Sequence, residues 1–168
     1  MTQGAHSLTL AEAALERCRA QGVMLATAES CTGGMISAAL TAVAGSSDVF
    51  DRGFVTYSNA AKQDMLGVKA ATIEAHGAVS EQVASEMALG AVARSGAGIG
   101  VAVTGVAGPG ASHNKPEGRV CFGLAIAGPP PITMTCEFGA IGRNAVRTRT
   151  TETALRLIID QLSPKTGP

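Results

Sequence analysis

Three stretches that read as strands and stop at polar turns constrain this chain more than any other feature of its sequence. Val23 to Ala28, Phe50 to Tyr57 and Gly98 to Thr104 each read as a strand, and each runs into a polar stretch, at 29–34, 57–62 and 104–110. The segments between them carry helical spacing instead. Apolar positions continue from Gly33 through Met35, Ile36, Leu40 and Val43 to Gly45, and Ser80-Glu81 opens an alanine-rich stretch that reaches about Ser95. The runs are short and bounded by turn residues, as buried strands are, while the intervening stretches have the length and period of helices. Chains that alternate in this way bury both kinds of apolar face by stacking helices on a sheet.

Punctuation supplies the remaining elements. Thr9-Leu-Ala-Glu12 has the pattern of a capping box and predicts a helix over 10–21 that stops at Gly22. Asn59 is placed to cap a short helix over 60–66 that stops at Gly67, a further helical turn covers 72–76, and 143–162 predicts a closing amphipathic helix. Gly118 to Ala127 and Ile132 to Phe138 are joined through Pro129-Pro130-Pro131 as an antiparallel pair. The expected fold class is α/β: a three-layer α/β/α sandwich with a mixed, mostly parallel sheet and a late antiparallel hairpin. One domain is expected, with a core over about 8–162 and a frayed tail at 163–168.

Composition narrows the function. Hydrophobic residues make up 46% of the chain and charged ones 15%, with 21 glycines and no tryptophan, so the core must be small aliphatic side chains packed against close backbone. Thirteen basic residues balance thirteen acidic ones, which leaves no overall field for nucleic acid or an anionic membrane. No apolar run is long enough to span a bilayer and Met1 to Ser7 lacks a signal-peptide pattern, so a cytoplasmic protein is expected. Cys18, Cys31, Cys121 and Cys136 are widely spaced and His6, His76 and His113 have no partner at ligand spacing. Neither zinc nor a disulfide fits that pattern; the thiols read as buried and reduced, and no metal or cofactor is expected.

The three turns carry the candidate chemistry. In Thr27-Ala-Glu-Ser-Cys-Thr-Gly-Gly34, Ser30 falls between a strand and a helix, where unpaired backbone N–H groups point outward. Gly33 and Gly34 admit close approach to that backbone, whose N–H groups can stabilise an oxyanion or hold a phosphate. Equally, Ser30 or Thr32 can be a plain N-cap, and the stretch is not a G-x-S-x-G elbow. With Asn59 as cap, Lys62 lies at the third helical position, where the macrodipole opposes a cation and partial burial lowers its pKa toward that of a general base. The alternative is a solvated surface lysine. As a pair, Lys62 takes the proton of Ser30 and Ser30 attacks an amide carbon. Tyr57, the one tyrosine, either relays a proton or packs on the sheet edge. Thr104-Gly-Val-Ala-Gly-Pro-Gly110 offers further backbone donors, and the stretch on to Gly118 is a substrate lid or an idle loop. Arg143, Arg147 and Arg149 open the last helix, to contact a phosphate or to form a solvated face.

These residues resemble one family, the carboxy-terminal domain of the competence/damage-inducible protein CinA, which also occurs alone as nicotinamide-nucleotide amidase. The resemblance covers about 8–160 and rests on 27–34, on Gly45-Ser-Ser, on Phe50-Asp-Arg-Gly-Phe-Val-Thr-Tyr-Ser-Asn59 with Lys62, on His76-Gly-Ala-Val-Ser80 and on Thr104-Gly-Val-Ala-Gly-Pro109. It implies metal-independent hydrolysis of nicotinamide mononucleotide to nicotinate mononucleotide and ammonia, by a homo-oligomer acting on a small molecule. It implies Ser30 as nucleophile, Lys62 as base and Tyr57 as an assisting hydroxyl. Thr32, Gly33, Gly34, Thr104, Gly105, Gly108 and Arg143 fall in the region that binds substrate. The nucleotide-hydrolase domain that precedes this one in longer CinA proteins is expected to be absent. Two departures from the family pattern, Gly110-Ala-Ser-His-Asn-Lys-Pro-Glu-Gly118 in the loop and Ile141-Gly-Arg143 before the last helix, leave the nucleophile and base in place. Two rival readings remain: a non-catalytic nucleotide-binding or interaction module, and Cys31 in place of Ser30 as the nucleophile.

Overall fold

A computed structural model describes residues 3–164 of the chain. Its elements are α1 (Gln3–Gln21), β1 (Leu25–Glu29), α2 (Met35–Thr41), a 3-10 turn (Ser46–Asp48), β2 (Phe50–Val55), α3 (Asn59–Leu66), α4 (Ala70–His76), α5 (Glu81–Ser95), β3 (Ile99–Gly105), β4 (Arg119–Ile126), β5 (Ile132–Glu137) and α6 (Arg143–Leu162). The strands form one five-stranded sheet in the order β2-β1-β3-β4-β5. β1 pairs in parallel with β2 and β3, whereas β4 runs antiparallel to both β3 and β5. The sheet is thus mixed as expected, with β4 alone reversed, and the carboxyl ends of β1, β2, β3 and β5 gather at one edge. Order 2-1-3 places a topological switch point between β1 and β3, where open α/β sheets bind ligands.

Alternation along the strands divides the core in two. Leu25, Ile99, Val101, Val103, Phe122 and Leu124 pack against α1, α2 and α6 through Leu15, Ile36, Leu40, Leu155 and Ile158. The opposite face shows Ala26, Ala28, Ala102 and Ala125 to α5, and Leu66 and Val68 join this second cluster from the α3 side. Small residues here let α5 lie close against the sheet. A Cβ on Gly123 would stand 2.3 Å from the Ala84 carbonyl oxygen of α5, and one on Gly90 would stand 2.1 Å from that of Leu66. The glycine content seen in the sequence is in part the cost of this close layering.

Several boundaries differ from the sequence expectation. α1 starts before Thr9, whose hydroxyl donates to the Ala5 carbonyl at 3.0 Å one turn back, so the Thr9–Glu12 pattern sits inside a helix and caps nothing. Ser58, not Asn59, caps α3: its Oγ accepts from the Ala61 N–H at 3.0 Å. Lys62 is therefore one position deeper in the helix than expected. Residues 165–168 of the expected tail lie outside the described residues.

In an exposed helix Gly→Ala stabilises by about 1 kcal/mol. At Gly90 the sign reverses, because the added methyl meets backbone that has no rotamer to yield. Gly90→Ala is expected to destabilise the protein by about 2 kcal/mol, measured by urea unfolding; a gain in stability would contradict the close α3–α5 packing.

Candidate active site

The turn after β1 is shaped by a buried carboxylate. Glu29 ends β1 fully buried, and its two oxygens accept five hydrogen bonds. The donors are the Thr32 hydroxyl (2.6 Å), the N–H groups of Gly34 (3.0 Å), Ile36 (3.0 Å) and Ser37 (2.8 Å), and the Ser37 hydroxyl (2.7 Å). Gly34 occupies the cap position of α2 with no side chain to offer, so Glu29 serves as a cap from five residues upstream. An anion at this helix start is also favoured by the dipole. These N–H groups are consequently not available to an oxyanion or a phosphate, which corrects the sequence expectation for them.

Ser30 follows directly, and its N–H donates to the Val103 carbonyl at 3.1 Å, stitching the end of β1 to β3. On the other side the Thr56 N–H donates to the Glu29 carbonyl at 2.8 Å. Lys62 reaches from α3 into the gap between these turns. Its Nζ lies 2.9 Å from Ser30 Oγ and 2.9 Å from the Thr56 carbonyl oxygen. The lysine is 2% exposed and the serine 8%. Among the described residues no carboxylate lies within ion-pair distance of Lys62. Burial without a counter-ion disfavours the ammonium and pushes Lys62 down to about 8. Desolvation, which the sequence reading coupled to the helix position, is the largest cause of that shift.

Ser30 and Lys62 open onto a cavity of about 540 Å³ at the carboxyl edge of the sheet. Thr104, Gly105 and Gly108 line it, as do Tyr57 and Arg143, whereas Thr32, Gly33 and Gly34 do not. Thr32 is buried on Glu29, the Gly33 N–H donates to the Ser30 carbonyl at 3.1 Å, and Gly34 caps α2. Those three residues build the turn. Thr104 is buried too, donating to the Ala78 carbonyl at 2.8 Å. Tyr57 is 59% exposed at the mouth, where its hydroxyl accepts from Arg143 Nη2 at 2.7 Å. Tyr57 lines the same cavity as Ser30 and Lys62 and makes no hydrogen bond to either. The same guanidinium donates to the Gly108 carbonyl at 2.7 Å, and the Gly110 N–H donates to Glu117 at 2.6 Å, so the 106–118 loop is pinned at two points.

Cys31 also lines the cavity, but burial pushes its thiol up to about 12, which leaves no thiolate to act as a nucleophile near neutral pH. Among the described residues no three His, Cys, Asp or Glu side chains group closely enough to hold a metal ion, and no helix is long and apolar enough to cross a membrane. Sequence reasoning missed Glu29, and it offered Arg147 a phosphate or a solvated face, whereas its guanidinium bonds the Cys31 and Thr32 carbonyls. The one available signal was a helix start at Gly-Gly with no capping side chain of its own.

Sheet order and site together define an α/β/α protein with a hydroxyl and a desolvated amine in contact at its switch point. The chain belongs to the CinA C-terminal domain family, whose model matches residues 7–162. It is 51% identical over 146 residues to Nicotinamide-nucleotide amidohydrolase PncC of Enterobacter agglomerans, covering 84% of this chain and 88% of that protein. It is 52% identical over 142 residues to a CinA-like protein of Chlorobium phaeobacteroides, covering 82% of this chain but 34% of that longer protein. Among solved structures, competence/damage inducible protein CihA from Agrobacterium tumefaciens superposes with a TM-score of 0.90 at 46% identity, covering 94% of this chain and 96% of that one.

The lysine has a stability signature. Its folded pKa lies below the unfolded value, so between about pH 8 and 10.5 the unfolded chain holds the extra proton and stability rises with pH. Below pH 8 the buried ammonium costs the fold roughly 3 kcal/mol. Relative to Lys62→Met, the wild type should gain about that much between pH 7 and pH 10.5 in paired denaturation curves. Parallel curves for the two proteins would contradict the buried unpaired amine.

Proposed function

We propose that this chain hydrolyses the carboxamide of nicotinamide mononucleotide to nicotinate mononucleotide and ammonia, with Ser30 as nucleophile and Lys62 as general base, without a metal. One observation carries the reading: the buried 2.9 Å contact between Lys62 Nζ and Ser30 Oγ, with no acid among the described residues to hold the lysine charged. An amine near pKa 8 is partly neutral at physiological pH and matched to proton transfer there.

The chemistry runs in two halves. Neutral Lys62 accepts the Ser30 proton as Oγ forms a bond to the amide carbon, giving a tetrahedral oxyanion. The Lys62 ammonium returns that proton to the amide nitrogen, the C–N bond breaks, ammonia leaves and an ester to Ser30 remains. Water then attacks the ester with Lys62 again accepting the proton, and the carboxylate departs as Ser30 Oγ is reprotonated. The Thr56 carbonyl holds one N–H of the amine throughout, which keeps its lone pair directed toward Ser30.

The substrate assignment draws on the name of the Enterobacter relative and on the charge of the cavity. Lys62 and Arg143 are among the described residues that line it, and no Asp or Glu is. A phosphate suits the Arg143 fork at the mouth, where Tyr57 and Gly108 already hold that side chain in place. Tyr57 in this reading serves the rim, positioning Arg143, and not the proton path.

Ammonia release from nicotinamide mononucleotide is the direct test. Ser30→Ala should lower the rate by roughly a thousandfold or more with the fold intact by circular dichroism. A chelator should leave the wild-type rate unchanged, and Cys31→Ser should stay within a few-fold of it. Because only the neutral amine is a base, kcat/KM should climb with pH and level off above about 8. Binding of the nucleotide without turnover, or full activity in Ser30→Ala, would refute the amidase and favour a binding module.

A further inference from the structure

One side chain of the cavity wall is held in place by a backbone conformation that few residues adopt. Residues 112–115 form a two-residue hairpin, in which the Ser112 N–H donates to the Lys115 carbonyl at 3.0 Å and the Lys115 N–H to the Ser112 carbonyl at 2.9 Å. His113 and Asn114 fill its two central positions with φ of 47° and 63°. Such turns need both central residues left-handed, so asparagine and glycine dominate them. Asn114 suits its position, whereas the larger histidine crowds its own backbone there. Residues kept in such conformations cluster where ligands are held.

The surroundings of the turn show what the ring is held for. His113 lines the cavity of Ser30, Lys62 and Arg143, whereas Asn114 and Lys115 do not. Its Nδ1 is hydrogen-bonded to Ser112 Oγ at 3.0 Å, which fixes one edge of the ring and leaves Nε2 without a partner among the described residues. The loop that carries the turn is braced. The Gly118 N–H donates to the Val106 carbonyl at 2.8 Å, and Glu117 accepts from the Gly110 N–H at 2.6 Å. The Glu117 carboxyl lies so close over Gly108 that a Cβ there would stand 2.4 Å from its carbon. Arg143 bonds the Gly108 carbonyl, so one braced loop positions both the guanidinium and the imidazole. Ser30 and Lys62 take the amide end of a substrate, which leaves this loop and Arg143 for the other end.

Resting on the reading above, with its phosphate at Arg143, we propose that His113 is a specificity-determining residue: its Nε2 donates to the phosphate of the nucleotide, beside the Arg143 fork. In the neutral ring Ser112 Oγ donates to Nδ1, which puts the proton on Nε2 and makes that nitrogen the donor a phosphate oxygen requires. His113 thereby favours a phosphorylated nucleoside over the bare one and takes no part in the proton path at Lys62. The ring lies in 110–118, one of the two stretches in which this chain departs from the family pattern.

Glycine adopts a left-handed conformation without strain, so His113→Gly removes the ring and keeps the turn, and Asn114→Gly controls for any change in the loop itself. The test places each of these, and His113→Asn, on Ser30→Ala and titrates the proteins calorimetrically with nicotinamide mononucleotide and with nicotinamide riboside, the same nucleoside without its phosphate. His113→Gly is expected to weaken binding of the mononucleotide about tenfold, the loss of one hydrogen bond to a charged group. His113→Asn, which keeps a shorter donor, should lose less, and Asn114→Gly should stay within about twofold of the parent. Affinity for the riboside should change by less than about twofold in His113→Gly, so the preference for the phosphorylated ligand falls about tenfold. Equal losses in His113→Gly and Asn114→Gly, an equal loss for the riboside, or unchanged affinity in His113→Gly would each overturn the proposal. A wild type that releases no ammonia from nicotinamide mononucleotide would strike the amidase reading instead, since the titrations read the phosphate contact without turnover.

Discussion

A lysine amine enclosed by protein with no acid beside it is the constraint around which the rest of this structure is arranged. Removing an ammonium from water is costly unless an opposite charge compensates, and among the described residues its polar partners are a serine hydroxyl and a main-chain carbonyl. The fold accepts that cost by delivering Lys62 from the first turns of α3, between the ends of β1 and β2, to the point where β1 gives way to Ser30. Stability is lowered at neutral pH, and in exchange the amine is held close to the pKa at which it can take and return a proton. Sites that bias a titratable group in this way, inside a cleft and against a nucleophile, are where perturbed pKa values carry function.

The serine is presented with equal care by different means. Glu29 satisfies the start of α2, Arg147 satisfies the carbonyls of the turn, and the neighbouring strands fix Ser30 and Thr56 through main-chain bonds. Charge of each sign is used on the group it can satisfy, and neither charge is left to face Lys62. Gly123 lets α5 lie close on the sheet, and Gly90 in α5 lets the end of α3 lie close on that helix.

What the sequence made legible was local and periodic. Strands such as Phe50–Val55 and Ile99–Gly105, and the helix opened by Ser80, were readable because short stretches bounded by turn residues, a helical period and a capping residue are written in neighbouring positions. Ser30 and Lys62 were found because each follows a strand, yet no spacing rule joins residues 32 apart; the resemblance to a family did that. The Thr9–Glu12 pattern misled because nothing upstream ends the helix, and Asn59 lost the cap to the equally suitable Ser58 beside it. Arg147 acts across the tertiary structure on backbone carbonyls that any residue type would present, and Glu29 acts within eight residues but mostly on backbone N–H groups, so no side-chain pattern announces the role of either. Tyr57 and Arg143 were each singled out, but their mutual contact across 86 positions depends on where the start of α6 lies against the turn that follows β2.

The central claim is that Lys62 titrates far below an ordinary lysine while in contact with Ser30. Following the Lys62 amine by NMR in protein carrying isotope-labelled lysine, with Lys62→Met to assign the signal, measures this directly. One lysine signal with a midpoint near pH 8 that is lost in the variant is the predicted result. A Lys62 signal titrating near the ordinary lysine value of about 10.4 would contradict the account.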